Sequence, residues 1–79
     1  MGKSYGLYSM SPGESAVIEH LGSSGALRRR LLDMGLVEGT RVECLGVSPG
    51  GDPKAFLIRG AVLALRDIDC REITIKKIG

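Results

Sequence analysis

The feature that most restricts the fold of this chain is an apolar stripe that ends abruptly at Gly35. Leu27, Leu31 and Met34 recur at positions i, i+4 and i+7, the spacing that places side chains on one face of a helix. Glycine suits the position just after a helix, because it adopts a left-handed conformation that a side chain resists, and Leu36 would then fold back onto Leu31. The sequence therefore predicts one short amphipathic helix with a defined end.

The start and the outer face of the predicted helix carry polar residues. Ser23 and Ser24 precede it, and the hydroxyl of either residue can cap backbone N–H groups that lack a partner inside the helix. Arg29 and Asp33 lie four residues apart on the face opposite the apolar stripe, so we expect a solvent-exposed ion pair worth about 0.3 kcal/mol. The helix is predicted to begin after one of the two serines.

The rest of the chain is typical of short β-strands separated by glycine and proline. Alternating apolar residues and turn-forming clusters predict five strands, at 14–21, 40–47 (with a bulge near Gly46), 54–59, 61–65 and 72–78, and one helical turn at 66–71. Strands at this spacing favour a mainly β fold, a small closed or nearly closed barrel with the helix covering one end. We expect residues 1–11 to form an N-terminal tail, in part disordered, and residues 12–79 to form the domain.

Composition limits the class of protein. A chain of 79 residues has room for one small core, and one Phe, two Tyr and no Trp make that core aliphatic. The net charge of +2 is too small to indicate a nucleic-acid footprint. Two distant cysteines favour a reducing, cytosolic setting, and no apolar run approaches the ~20 residues that span a bilayer.

The residues that can carry chemistry are few. His20 is expected on the solvent-facing rim, Cys44 in the core, and Cys70 in a more exposed position where it could pair with Asp67 or Asp69 around an adventitious cation. These ligands do not make a designed metal site, and we expect none, nor any cofactor. A single histidine without a matching nucleophile or clustered carboxylates predicts that the protein is not an enzyme.

The order of residues in this chain resembles the FeoA family from about residue 13 to residue 78. The resemblance is carried by a leucine-rich helix, its glycine stop, a Gly-Asp-Pro bend and a strand pair ending in Leu-Arg: Leu27 or Leu31, Leu32, Met34, Gly35, Leu36, Gly39, Gly51, Asp52, Pro53, Leu65 and Arg66. It implies an SH3-like barrel with a helical insertion after the first strand. It also implies a cytosolic accessory to FeoB, the membrane ferrous-iron transporter with a G domain, and membrane contact through that partner only.

The predicted helix also offers a surface for a partner. Arg28, Arg29 and Arg30 are consecutive, so they fan around the helix and cannot all point inward. Leu32 lies away from the apolar stripe and near Arg28, which leaves an apolar residue exposed beside a guanidinium, a pair that suits an acidic, partly apolar partner. The alternative is that Leu32 packs against Met10 or the rest of the N-terminal segment.

The bend at 48–53 completes the candidate surface, although its glycines, prolines and Asp52, bonded to its own backbone, also have a purely structural interpretation. The predicted partner-binding residues are Arg28, Arg29, Leu32, Pro49 and Asp52. Two alternatives stay open. A nucleic-acid-binding barrel would use the basic residues to contact phosphates. The interleaved acidic residues and the small number of aromatic side chains for base stacking count against this alternative. A metal-dependent role, as a regulatory module like those fused to repressors or as a metal carrier, would use Cys70 or His20.

Overall fold

The computed structural model describes residues 4–78, and its architecture is mainly β. Six strands form one antiparallel sheet in the order β1-β6-β2-β3-β4-β5. The strands are β1 Tyr5–Gly6, β2 Ser15–Leu21, β3 Arg41–Val47, β4 Lys54–Ile58, β5 Ala61–Leu65 and β6 Ile73–Ile78. The helices are α1 Gly25–Asp33, α2 Asp67–Cys70 and a 3-10 helix at Leu7–Ser9. The predicted mainly β class is confirmed, with β1 as an additional strand.

Two irregularities bend the sheet around its core. The register between β3 and β4 shifts between Cys44 and Gly46, which confirms the bulge predicted near Gly46. A second shift lies between Ile18 and His20, where β2 pairs with β6. Because a bulge increases local twist and bends its strand, the two shifts allow a small sheet to curl toward closure.

The core is almost entirely aliphatic, as the composition predicts. Phe56 is the one aromatic side chain among the buried hydrophobic residues of the described structure. The other members come from every strand except β1, from the three helices, and from the loop positions Met10 and Leu36. The buried hydrophobic residues are Leu7, Met10, Ala16, Ile18, Leu21, Leu31, Leu36, Val42, Cys44, Phe56, Ile58, Leu65, Cys70, Ile73 and Ile75. Neither α1 nor α2, nor any other helix within residues 4–78, is long and apolar enough to cross a bilayer.

The described part of the N-terminal segment packs as part of the domain, whereas the sequence suggested a tail spanning 1–11. Strand β1 pairs with β6, and Leu7 and Met10 are fully buried. The Lys54 ammonium donates hydrogen bonds to the carbonyl oxygens of Tyr8 at 2.6 Å and Met10 at 2.9 Å. These contacts fix the segment because they satisfy its backbone while its two apolar side chains fill the core. The expected disorder of residues 1–3 lies outside the described residues.

The start of α1 lies where the sequence places it, but the expected cap bond does not form. Ser24 is the N-cap residue, in extended backbone, and no side-chain hydrogen bond caps the helix. The hydroxyl of Ser23 is buried and has no hydrogen-bond partner among the described residues. Gly25 and Ala26 are exposed, so water can reach the N–H groups of the first turn, and a serine cap is not required there.

The end of α1 forms as predicted. Gly35 has a φ of +98°, and its N–H donates to the Leu32 carbonyl at 3.0 Å. The Leu36 N–H donates to the Leu31 carbonyl at 3.0 Å, which completes a Schellman motif. Leu31 and Leu36 are both fully buried, so the hydrophobic contact that accompanies this motif is part of the core.

Replacing Gly35 with valine is expected to lower the free energy of unfolding by about 1–3 kcal/mol, because a β-branched residue resists positive φ. A Cβ at this position would also lie 3.3 Å from Cδ of Arg59. Gly6→Val is the matched control, since Gly6 has a φ of −72° and no atom within 4 Å of a built Cβ. Urea unfolding of the two variants measures the difference, and wild-type stability in Gly35→Val would refute the glycine stop.

Candidate docking surface

Helix α1 lies with its apolar stripe on the core, as predicted. Leu31 is fully buried, and Leu27 and Met34 are partly buried against the core. The opposite face carries Leu32, which is 36% exposed, together with exposed Arg29 and Asp33. The predicted Arg29–Asp33 ion pair does not form in the described structure. Long charged side chains in water gain little from such a pair, so its loss costs the helix almost nothing.

The three consecutive arginines of α1 have three different surroundings. The Arg28 guanidinium donates to the Leu21 carbonyl at the end of β2, at 2.9 Å. The Arg30 guanidinium lies 3.0 Å from the Asp69 carboxylate in α2. Arg29 is exposed and makes no hydrogen bond or ion pair with residues 4–78. Two of the three charges are therefore used to hold α1 in place, and one faces solvent.

A shallow groove of about 360 Å³ lies along this outer face of α1. Its lining residues are Gly25, Arg28, Arg29, Leu32 and Asp33. Three of the five residues predicted to bind a partner are thus brought together, and the exposed leucine stands beside two guanidinium groups. We call these five lining residues the α1 groove. Its mixture of one apolar side chain, two cations and one anion suits a partner that offers a carboxylate next to an apolar group.

Asp69 connects the two helices and was not singled out from the sequence. It is only 8% exposed, and its carboxylate accepts from Arg30 of α1 and from the Arg66 backbone N–H at 3.2 Å. The Arg66 guanidinium lies 3.5 Å from the same carboxylate. A buried carboxylate needs such partners to offset its lost hydration, so Asp69 fixes α2 against α1. The sequence signal was weak, because an acidic residue at the third helical position can accept from the N-cap N–H, but arginine is not a preferred N-cap residue.

The other two predicted residues lie on the bend at 48–53. The sequence suggested that Asp52 bonds its own backbone, but its carboxylate instead accepts from the Tyr8 hydroxyl and from the Asp67 N–H at 3.0 Å. The bond from Tyr8, and then that from Asp67, hold the pKa of Asp52 below its ordinary value of 3.8. Pro49 is exposed, and neither residue lines the α1 groove.

The potential metal ligands are dispersed. No three His, Cys, Asp or Glu side chains among residues 4–78 cluster in a way that would hold a metal ion. Cys44 is buried as predicted, but Cys70 is buried too, which corrects its expected exposure. Burial, and next the charge of Asp69, raise the pKa of the Cys70 thiol to about 12. His20 is exposed as predicted, 3.3 Å from Glu38.

A sequence model of the FeoA domain matches residues 5–77, nearly the whole chain. The chain belongs to the FeoA family. The matched region begins at β1, in agreement with the packing of the N-terminal segment. A search of the curated proteins finds no match.

Solved FeoA structures share the fold. The iron(II) transport protein A of Clostridium thermocellum is 33% identical, with a TM-score of 0.92; the match covers 95% of this chain and 46% of that one. The FeoA-like protein of Clostridium acetobutylicum is 30% identical, with a TM-score of 0.90, over 100% of this chain and 92% of that one. This chain therefore spans less than half the length of the first relative and most of the second.

A third solved structure settles the class of barrel. FeoA of Stenotrophomonas maltophilia, solved with zinc and described as a procaryotic SH3 domain protein, is 27% identical, with a TM-score of 0.75 over 90% of this chain and 88% of that one. The predicted SH3-like barrel with an inserted helix is confirmed. In this FeoA domain α1 follows β2, since β1 precedes the first strand that the sequence predicts.

Replacing Tyr8 with phenylalanine is expected to lower the free energy of unfolding at neutral pH, and the deficit is expected to shrink in acid. A carboxyl whose pKa is lowered by folding stabilises the protein fully above its unfolded pKa, and that contribution is lost as the pH falls through the folded pKa. Without the Tyr8 bond, the pKa of Asp52 in the folded protein should lie closer to its ordinary value.

Urea unfolding at pH about 7 and about 2.5 measures this difference. Tyr5→Phe is the matched control, because the Tyr5 ring lies against Lys77 and its hydroxyl makes no hydrogen bond with a described residue. An equal deficit for Tyr8→Phe at both pH values would mean that the Asp52 bond does not link folding to protonation.

The two thiols are expected to react with a disulfide reagent at least about a hundredfold more slowly in the native protein than after unfolding, because burial disfavours the thiolate. The variant Ile68→Cys supplies the comparison, since Ile68 is 60% exposed on the same short helix as Cys70. Release of the coloured thiol over time gives the rates. A native cysteine that reacts as fast as the added thiol would contradict the burial of that cysteine.

Proposed function

We propose that this chain is a non-enzymatic accessory protein of ferrous iron uptake that docks on a FeoB-type membrane transporter. Membership of the FeoA family supports this role. So do the descriptions of two relatives, one as iron(II) transport protein A and the other as a candidate ferrous iron transport activating factor. The proposal includes a cytosolic location and contact with the membrane through the transporter only.

The observation that carries the docking proposal is the exposure of Leu32 beside Arg29. Leu32 is 36% exposed on a helix whose Leu31 is completely buried, and the Arg29 guanidinium has no partner among residues 4–78. An apolar side chain gains free energy when a partner covers it, and a planar guanidinium binds a carboxylate through two parallel hydrogen bonds. The α1 groove offers both, so its partner surface should present an acidic residue next to an apolar one.

The bend has a different part in this proposal. Asp52 is already engaged by Tyr8 and Asp67, so it contributes by holding the bend in shape. Pro49 is exposed on the same bend and supplies a rigid apolar contact for a partner that reaches beyond the α1 groove. The docking surface therefore has a centre on α1 and a secondary contact at Pro49.

The described contacts favour docking over the nucleic-acid alternative. Arg28 and Arg30 are held by the Leu21 carbonyl and by Asp69, and Lys54 is held by two carbonyls of the N-terminal segment. Three of the cations that would meet phosphates are thus committed within the fold. Phosphate binding depends on several cations that are free to replace counterions.

The proposal is tested by capture of the full chain on purified FeoB, presented as its G domain and its membrane portion in separate arms. The double variant Arg29→Glu, Leu32→Ala is expected to bind at least about tenfold more weakly to the portion that the wild type recognises, because it reverses one charge and removes the apolar contact. Thermal unfolding should be unchanged within about 0.5 kcal/mol, since both side chains face solvent.

The double variant Arg41→Glu, Leu45→Ala is the matched control. It makes the same two changes on β3, where Arg41 is exposed and Leu45 is 42% exposed. Control binding should equal that of the wild type. Equal capture of both double variants by FeoB would place the docking surface away from α1, and no capture of the wild type by either portion would refute the partner.

A further inference from the structure

Within residues 4–78, the sheet has one long edge, the outer side of β5. This strand ends the strand order and pairs only with β4, whereas the edge at the other end, β1, has two residues. The backbone hydrogen bonds outside the regular elements of residues 4–78 include none to β5. An edge strand leaves a row of N–H and C=O groups unpaired, which makes it a template for another strand.

The turn before β5 determines which backbone groups face outward. Arg59 and Gly60 both have positive φ, at 53° and 81°, as in a two-residue type I′ hairpin whose flanking residues form a hydrogen-bonded pair. Counting from that pair, every second residue of β5 is bonded to β4. Val62 and Ala64 therefore direct their N–H and C=O groups away from the sheet.

The composition of β5 does nothing to prevent pairing. Its sequence, Ala-Val-Leu-Ala-Leu, contains no charged residue and no proline, which are the usual means by which edge strands resist another strand. Val62 is 65% exposed, the highest value among the exposed large hydrophobic residues of the described structure, and Ala64 is exposed on the same face. A pairing strand would cover this apolar surface.

The strand is complementary to itself. In an antiparallel pair of two copies centred on Leu63, all five residues are opposed, and Val62 of one copy lies opposite Ala64 of the other, as the outward groups require. The pair ends at Ala61 and Leu65 of each copy, because Arg59 and Gly60 form the turn before β5 and α2 begins at Asp67.

We infer that β5 pairs antiparallel with β5 of a second copy of this chain, which gives a two-fold dimer with a sheet that continues across both copies. A two-fold interface of this kind uses the same patch on each copy and closes without forming a filament. Pairing of a single five-residue strand buries little area, so the association is weak. The inference is independent of the proposed function, since it uses β5 and not the α1 groove.

Sedimentation equilibrium of the full chain, from about 10 µM to about 1 mM, is the first test, and a reversible monomer–dimer equilibrium is expected in that range. Val62→Lys should raise the dissociation constant at least about tenfold, because it places a charge on each side of the strand pair. Val47→Lys is the matched control, since Val47 is 41% exposed on β3, which β4 separates from β5 in the sheet. A monomer throughout, or equal weakening by the control, would overturn the inference.

Backbone amide shifts test the register. In the wild type, the amide resonances of Val62 and Ala64 should shift with protein concentration, while those of the β5 residues bonded to β4 stay fixed. Shifts confined to another surface would overturn this pairing.

Discussion

The hydrogen bond from the Leu36 N–H to the Leu31 carbonyl is the constraint on which the rest of this fold depends. Gly35 makes it possible by adopting a φ of +98°, and both leucines are buried, so the end of α1 is fixed by backbone and core together. A slip of one residue along a helix rotates its faces by about 100°. Fixing the end therefore also decides that Leu32 and Arg29 face solvent.

A second set of contacts that stabilises the barrel joins the N-terminal segment to the bend. Lys54 donates to two carbonyls of that segment and lies 4.7 Å from the centre of the Tyr8 ring. Asp52 joins the Tyr8 hydroxyl to the first backbone N–H of α2. Lys54 and Asp52, which are separated in the chain by Pro53 alone, thus hold together the N-terminal segment, the bend and α2. The main role of the bend is therefore structural, and its exposed surface is secondary.

The parts of this fold that sequence predicts are those encoded by near neighbours. The stripe ending at Gly35 and the grouping of Arg28, Arg29 and Leu32 follow from helical spacing alone. The burial of Cys70 does not, because α2 is oriented by Asp69 and its partner Arg30, which are 39 residues apart. Nor does the packing of residues 5–10, where two isolated apolar side chains among polar ones show no period until Lys54 and β6 are in place.

The unequal surroundings of the three arginines limit what binding at α1 can look like. A partner that meets the α1 groove finds one guanidinium, Arg29, that has no competing contact with residues 4–78, whereas Arg28 is held by a carbonyl and Arg30 by a carboxylate. Freeing either of these two would cost the stability they give to α1. Arg29 can therefore contribute about one strong charged contact to a partner. Most of the affinity has to come from covering Leu32 and from shape complementarity. Such an interface should weaken little with added salt, unlike one built on a row of free cations.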